Sequence, residues 1–152
     1  MKIVTNNEDF TLFVFNKFMV ETETIKKYLK EVIIKLKRRY RKNISGFYNV
    51  NVYVNKKIGM IFDFEKEEGF DFFKDIVDLD VVLHDEAEVF LEFEDLFLMD
   101  KFNDIYVFND KYYVDVDKIS NNRFYKMLEF SQLVFGERLE EIKNSFGLVV
   151  KS

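Results

Sequence analysis

The spacing of hydrophobic positions changes several times along this chain, and each spacing predicts a different element. From Glu21 to Lys42 the apolar residues recur every three or four positions, which is the rhythm of one helical face. Placed at about 100° per residue, they fall within a sector of roughly 140°. The apolar positions are Ile25, Tyr28, Leu29, Val32, Ile33, Leu36 and Tyr40. The pattern therefore predicts an amphipathic helix over residues 21–42.

After this helix the apolar residues recur at every second position, which is typical of strands. The runs 47–54 and 58–64 alternate in this way on either side of a short polar turn, and they predict a β-hairpin. Residues 10–20 are rich in Phe and Val and predict an earlier strand. A second hairpin is expected around Asn109 and Asp110, because both residues tolerate the positive φ of a tight turn.

The rest of the chain predicts shorter elements. We expect a short helix from Gly69 to Leu79, strands at 81–83 and 87–93, and helices between Ser120 and Gly147. The order of one helix, about six strands and then helices is typical of the α+β class. The sequence therefore predicts a single globular domain over residues 1–152. Its sheet of about six strands is largely antiparallel, with the N-terminal basic helix and the C-terminal helices packed on it.

A sizeable core is expected from the composition. Apolar residues make up 48% of the 152 residues, which excludes disorder as the overall state of the chain. The residues expected in the core lie on the apolar faces of the clearest elements. They are Leu29, Val32, Leu36, Val50, Val52, Phe62, Leu91, Val114 and Leu128.

Candidate catalytic chemistry is sparse. There is no cysteine, which excludes disulfides, thiolate metal sites and cysteine nucleophiles. The single histidine, His84, stands beside Asp85 as a general base would, but no serine or thiol motif accompanies it, and a structural or solvated role is favoured. The five glycines are isolated, so no Walker loop or dinucleotide fingerprint is present. We expect no catalytic, metal or cofactor site.

Charge is strongly segregated along the chain, although the net charge is only -5. Residues 26–42 carry nine Lys or Arg against one acid, and residues 63–117 carry nineteen Asp or Glu against four Lys. Such asymmetry informs about partners and solubility rather than about fold. The acidic segment includes a strand predicted to have one solvated acidic face, formed by Glu86, Glu88, Glu92 and Glu94.

The basic half of the predicted helix is the most specific functional signal. Its cations occupy the side opposite the apolar sector, with Ile34 alone among them. Such a face can follow phosphates or meet another anionic surface. A solvated face is the simplest alternative, and docking against the acidic strands is another. The residues expected to contact a partner are Lys27, Lys30, Lys35, Lys37, Arg38 and Arg41.

These patterns predict a non-enzymatic protein that binds a macromolecule, first of all a regulatory or adaptor protein acting through protein–protein interaction. The alternative is a nucleic-acid-binding protein that uses the basic helix 26–42. An acidic DNA-mimic-type inhibitor and a carboxylate-based enzyme, built on a same-face carboxylate pair, rank below both.

The expected partner is an anionic macromolecule, either an acidic protein surface or nucleic acid, bound by the basic helix. Self-association between the basic helix and the acidic strands of a second copy is a further option. No apolar run approaches the ~18–20 residues that a membrane span needs. The first nine residues contain acids that do not suit a signal peptide, so we expect a cytoplasmic protein.

Overall fold

Helix and sheet are combined throughout the chain. The computed structural model describes residues 2–6, 9–40, 44–68, 76–94 and 104–149. Contacts divide the chain into two compact units, unit 1 (Met1–Glu86) and unit 2 (Ala87–Ser152). Among the described strands, seven of the eight pairings are antiparallel. The α+β class and the largely antiparallel pairing are therefore confirmed, and the single domain stays a prediction.

Unit 1 contains a five-stranded sheet and one long helix. Its elements are β1 (Lys2–Asn6), β2 (Asp9–Phe15), α1 (Thr22–Tyr40), β3 (Gly46–Asn55), β4 (Gly59–Lys66) and β5 (Val77–His84). The strands lie in the order β1-β2-β4-β3-β5. All neighbours are antiparallel except β3 and β5, which run parallel.

The helix and the first hairpin of unit 1 lie where the periodicity predicts them. The observed α1 falls within the predicted range 21–42, and β3 and β4 form the predicted hairpin. The helix expected over Gly69 to Leu79 is wrong at its end, because Val77 opens β5 and pairs with β3. Its residues 69–75, like Arg41, lie outside the described residues. In the first half of β5, hydrophobic residues alternate with Asp78 and Asp80, as is typical of a strand. The strand therefore begins at Val77, before the start at residue 81 that we expected.

The core of unit 1 is set by register. Phe62 on β4 stands opposite Leu12 on β2 and Val52 on β3, and all three side chains are fully buried. Because side chains alternate across a strand, this register places one row of apolar residues on the side that faces α1 and a second buried row, Phe13, Ile61 and Tyr53, on the other side. The α1 residues buried in the same cluster are Ile25, Leu29, Val32, Ile33 and Leu36. The predicted apolar face of the helix is therefore the face that covers the sheet.

The turn between β3 and β4 is fixed by one side chain and one glycine. The Asn55 side chain is buried, and its Oδ1 accepts from the backbone N–H groups of Lys57 and Ile58 at 2.9 and 3.1 Å. Gly59 has φ +122°, and a Cβ at this position would lie 2.5 Å from the carbonyl oxygen of Val14. Only glycine fits both the left-handed backbone and the close approach of β2.

Unit 2 contains a second five-stranded sheet with two short helices. Its elements are β6 (Phe90–Phe93), β7 (Ile105–Phe108), β8 (Lys111–Asp115), α2 (Asn121–Met127), β9 (Gln132–Val134), α3 (Gly136–Lys143) and β10 (Gly147–Val149). The strand order is β10-β7-β8-β6-β9. The predicted turn between β7 and β8 is present, with φ values of 53° at Asn109 and 63° at Asp110. The single sheet of about six strands is thus replaced by two sheets of five.

The predicted core is largely confirmed. Eight of the nine residues are at most 6% exposed, and these eight come from both units. Leu128, which follows α2, is half-buried instead. The helix α2 ends at Met127, one residue before Leu128. At that end of the helix, Met127 is the buried side chain.

Candidate partner-binding surface

The helix α1 begins and ends with charges that suit its dipole. Glu23 lies in the first turn, and Lys37, Arg38 and Arg39 lie in the last turn. Acids at the N-terminus and cations at the C-terminus are each favourable at a helix end. Part of the basic character of this segment therefore stabilises the helix itself.

The structure brings together four of the six residues predicted to contact a partner. Lys27, Lys30 and Arg38 are exposed, and Lys37 is half-buried. At about 100° per residue, all four lie within about 60° of Ile34 around the helix axis. We call Lys27, Lys30, Lys37 and Arg38, together with Ile34 at their centre, the basic face. Lys35 is exposed but lies about 100° from Ile34, and Arg41 lies outside the described residues.

The charges of the basic face are not neutralised nearby. None of its four cations lies within salt-bridge distance, 4.0 Å, of a carboxylate among the described residues. Glu31, the one acid among residues 26–40, lies about 60° from Ile34 on the same side of the helix, and it is exposed without pairing to them. The field of these cations therefore extends into solvent, where it is limited by salt screening over about 8–10 Å.

Ile34 is the member of this surface that the sequence-based interpretation left without a role. Its side chain is 51% exposed, although the other isoleucines of α1, Ile25 and Ile33, are buried. Single exposed apolar residues are ordinary on protein surfaces. An apolar side chain with four cations and one acid around it is more specific, because it combines an apolar contact with a charged rim. The signal was present in the sequence as the one apolar residue opposite the buried sector.

The side of the unit 1 sheet away from α1 combines a buried apolar row, Phe13, Ile61 and Tyr53, with several carboxylates. Thr11 donates to Asp63 Oδ1 at 2.9 Å in the middle of this side, and burial is the main cause that raises the pKa of Asp63 above its usual value. Glu65 and Asp80 lie on either side of Asn49 in the sheet register, and both carboxylates are exposed. A search of the described part of the chain finds no group of three or more His, Cys, Asp or Glu placed to hold a metal ion.

His84 is held by an amide and an aromatic ring. Its Nε2 lies 2.9 Å from Oδ1 of Asn51, and its ring stacks on Tyr53 with centroids 4.7 Å apart. The carboxylate of Asp85 accepts instead from the backbone N–H of Glu86 at 3.0 Å. The contacts recorded for His84 and Asp85 therefore do not form the pairing that a carboxylate-oriented general base would need.

One residue of the predicted solvated acidic face is buried, which corrects that expectation. Glu86, Glu88 and Glu94 are exposed, but Glu92 is only 5% exposed. Its Oε2 accepts from Arg138 at 2.6 Å and from the Tyr113 hydroxyl at 2.8 Å, and its Oε1 lies 3.4 Å from Nζ of Lys111. Strand periodicity fixes only the side on which Glu92 lies. It cannot show that Arg138, 46 residues later on α3, covers that side.

The surroundings of Glu92 also act on Tyr113. Burial, followed by the hydrogen bond to the Glu92 carboxylate, raises the pKa of Tyr113 from 10.0 to about 12. Glu92 joins β6 to β8 through Tyr113 and Lys111 and to α3 through Arg138. Because three donors already contact its two oxygens, the carboxylate acts as a cross-link inside unit 2.

None of the helices in the described ranges is both long and apolar enough to span a bilayer. Comparison with protein-family models, with curated proteins and with solved structures finds no match to this chain.

Proposed function

We propose that this chain is a non-enzymatic regulatory or adaptor protein that binds an acidic surface of another protein through the basic face of α1. The observation that carries the proposal is the exposure of Ile34 at the centre of unpaired cations. The opposite side of α1 is buried against the sheet, which fixes the orientation of the basic face. A rigid, pre-oriented surface reduces the ordering cost of binding.

The apolar centre favours a protein partner over nucleic acid. Protein interfaces combine an apolar core with a polar rim, and a few central residues supply most of the binding energy. Phosphate groups would satisfy the cations of the basic face, but they offer no apolar surface to Ile34. We therefore expect a partner whose carboxylates surround a shallow apolar pocket.

The size of the surface indicates a transient complex. The 19 residues of α1 span about 28 Å. One face of such a helix covers well under the roughly 800 Å² per partner that standard stable interfaces bury. Electrostatic attraction then contributes mainly to the rate of association, and salt weakens it.

The experiment compares charge reversal on the basic face with an equal reversal elsewhere. The test variant is Lys27→Glu, Lys30→Glu and Arg38→Glu, all exposed. The control variant is Lys35→Glu, Arg39→Glu and Lys126→Glu, which changes net charge equally at exposed positions outside that face. Immobilised full-length chains capture proteins from a nuclease-treated lysate of the source cell, and binding of each purified candidate is then titrated against salt.

We expect the test variant to weaken binding of the purified partner at least tenfold and to flatten its salt dependence, because exposed ion pairs contribute about 0.2–1 kcal/mol each and reversal replaces attraction with repulsion. The control variant should bind within about threefold of the original chain, since its reversals lie outside the contact. Equal losses in both variants would contradict the proposal.

Ile34→Ser separates the two classes of partner. Against a protein with an apolar pocket, this substitution should weaken binding about tenfold or more, because burial of an Ile side chain contributes roughly 1.5–3 kcal/mol. Against a duplex DNA or single-stranded RNA of matched charge it should change little. Tight binding of the nucleic acid with unchanged affinity for Ile34→Ser would make the nucleic-acid interpretation the correct one.

A further inference from the structure

The last strand of the unit 1 sheet has an open side. β5 lies at the end of the strand order, and no strand of the described residues pairs with its outer side. On the inner side, Gly46 N–H donates to the carbonyl of Ile76, and Gly46 is in register with Val77. Because backbone polar groups alternate along a strand, the even-numbered residues of β5 direct theirs towards β3. Residues 77, 79, 81 and 83 direct their N–H and C=O groups outward.

The backbone at this open side takes a local partner. The outward N–H of Leu79 donates to Oδ1 of its neighbour Asp78 at 3.0 Å, where a paired strand would offer a carbonyl. Asp78, Asp80, Val82 and His84 are exposed on the side of β5 away from α1, while Leu79 is buried on the other side, so the strand is accessible from one side. Such an edge is a ready template for another strand unless something covers or repels it.

We propose that β5 pairs antiparallel with β5 of a second copy of this chain, about a two-fold axis at Val81. In an antiparallel pair, the odd-numbered residues of one copy must stand opposite odd-numbered residues of the other, because these carry the outward N–H and C=O groups. The two-fold axis must then pass through a residue, and near the middle of the strand that residue is Asp80, Val81 or Val82. An axis at Asp80 sets that carboxylate opposite its own copy. Like charges directly opposite are destabilising, which disfavours that register. An axis at Val82 sets Asp80 opposite His84, but it pairs only residues 80–84 of β5, which ends at His84, and leaves Leu79 without a partner.

The axis at Val81 gives complementary pairs. Asp78 then stands opposite His84 of the second copy, and Leu79 stands opposite Leu83, each pair occurring twice. Asp78 and His84 occupy a pair without backbone hydrogen bonds, where Cα atoms are only about 4.5 Å apart and side chains meet closely. Leu79 and Leu83 occupy a hydrogen-bonded pair on the side that faces α1. Both leucines belong to or pack against the unit 1 core, so pairing extends that core across the axis.

The side chains are already arranged for this exchange. His84 is oriented through Nε2 by Asn51 and through its ring by Tyr53, which leaves Nδ1 to meet a partner. When Leu79 N–H donates to the carbonyl of Leu83 in the second copy, it releases the carboxylate of Asp78. That carboxylate then accepts a hydrogen bond from Nδ1–H of His84 in the second copy. A carboxylate that bonds to the backbone of its own chain in the monomer therefore bonds to the other chain in the dimer.

Single cysteines test the register directly, because the chain contains none of its own. In Val81→Cys the two copies of residue 81 face each other with Cα atoms about 5.5 Å apart, within the range for a disulfide. The matched controls are Asp80→Cys and Val82→Cys, whose own copies lie more than about 7 Å apart, beyond disulfide reach. Residues 80 and 82 face each other, so a mixture of these two variants should form only the mixed disulfide dimer.

Val81→Pro tests the backbone contact. Its N–H points outward, so proline removes a bond to the second copy without removing one to β3. We expect the full chain to sediment at about twice 18.4 kDa at concentrations approaching about 1 mM, and Val81→Pro to sediment as a folded monomer with unchanged far-ultraviolet circular dichroism. A chain that stays monomeric over that range overturns the proposal, as does cross-linking of Asp80→Cys or Val82→Cys alone in place of Val81→Cys.

The basic-face reversal separates this pairing from the other form of self-association. If basic helix and acidic strands joined the copies, Lys27→Glu, Lys30→Glu and Arg38→Glu together would abolish the dimer and Val81→Pro would leave it intact. We expect the opposite result. Pairing through β5 does not depend on the proposed function, since it uses no residue of the basic face.

Discussion

The two units bury their sheets with different chemistry. The buried cluster of unit 1 consists of aliphatic and aromatic side chains from α1, the strands and Ile44. In unit 2 an aromatic group formed by Phe90, Tyr106, Tyr113 and Phe146 lies beside the buried carboxylate of Glu92. The stability of the first core depends on close packing and buried apolar area. The stability of the second depends also on the hydrogen bonds that Lys111, Tyr113 and Arg138 donate to Glu92. Their responses to substitution and to pH should therefore differ.

The largest effect is expected in the apolar core of unit 1. Leu36 is 1% exposed on α1, and Leu36→Ala should lower the free energy of unfolding by about 2–5 kcal/mol because it leaves a cavity. Ile34→Ala on the same helix should change it by less than about 0.5 kcal/mol. Urea denaturation followed by circular dichroism measures both. Equal effects of the two substitutions would show that the helix face is assigned incorrectly.

A smaller loss is expected when the carboxylate of unit 2 is neutralised. Glu92→Gln keeps the shape of the side chain but weakens its bonds to Arg138 and Lys111, and it should cost about 1–3 kcal/mol. Arg138 and Lys111 are partly exposed, so both can recover water, which limits the loss. The control is Glu94→Gln, an exposed neighbour, in the same denaturation assay. Equal stability of the two variants would mean that the cross-link contributes nothing net.

Alkaline pH should weaken unit 2 through Tyr113. Its pKa is about 12 in the folded chain against 10.0 normally, so the folded state keeps a proton that the unfolded state loses. The stabilisation is fully present below pH 10 and is lost as pH rises towards 12. Burial also raises the pKa of Tyr28 in unit 1, so the effect of Tyr113 is isolated by comparison with Tyr113→Phe. The variant should show a shallower decline in stability over this range, and identical declines would refute the assignment.

The smallest effect on stability is expected for the basic face. Lys27→Glu, Lys30→Glu and Arg38→Glu should each change the free energy of unfolding by at most about 0.5 kcal/mol, because their side chains are exposed and unpaired. Thermal unfolding of the triple variant gives the measurement. An unfolded triple variant would show that the basic face docks within the chain, which is the structural alternative to partner binding.

Prediction from sequence succeeded where a periodic pattern was long. The 19 residues of α1 and the ten residues of β3 contain several repeats of their period, so their faces could be assigned. β9 and β10 have only three residues each, too few to show a period. β1 contains polar Lys2, Thr5 and Asn6 on an edge, where an apolar alternation is not required.

The candidate surface was predictable in position but not in composition. Helical spacing placed the cations of α1 and Ile34 opposite its core and Lys35 about 100° from Ile34, yet it could not show that Ile34 stays exposed and the cations unpaired. The burial of Glu92 could not be predicted from the sequence for a different reason. It depends on donors from β8 and α3, and such contacts between distant segments leave no periodic signal in a single sequence.

The parallel pairing of β3 with β5 sets an order of assembly. β3 and β4 are joined by a three-residue turn, and hairpins of this kind form within about 1–10 μs. β5 can join only after more than twenty residues have looped back to β3, and pairing over such a distance is slower. During synthesis the first four strands therefore emerge with the outer edge of β3 uncovered. Over that interval the open edge of β3 is a site where a strand of another chain could pair.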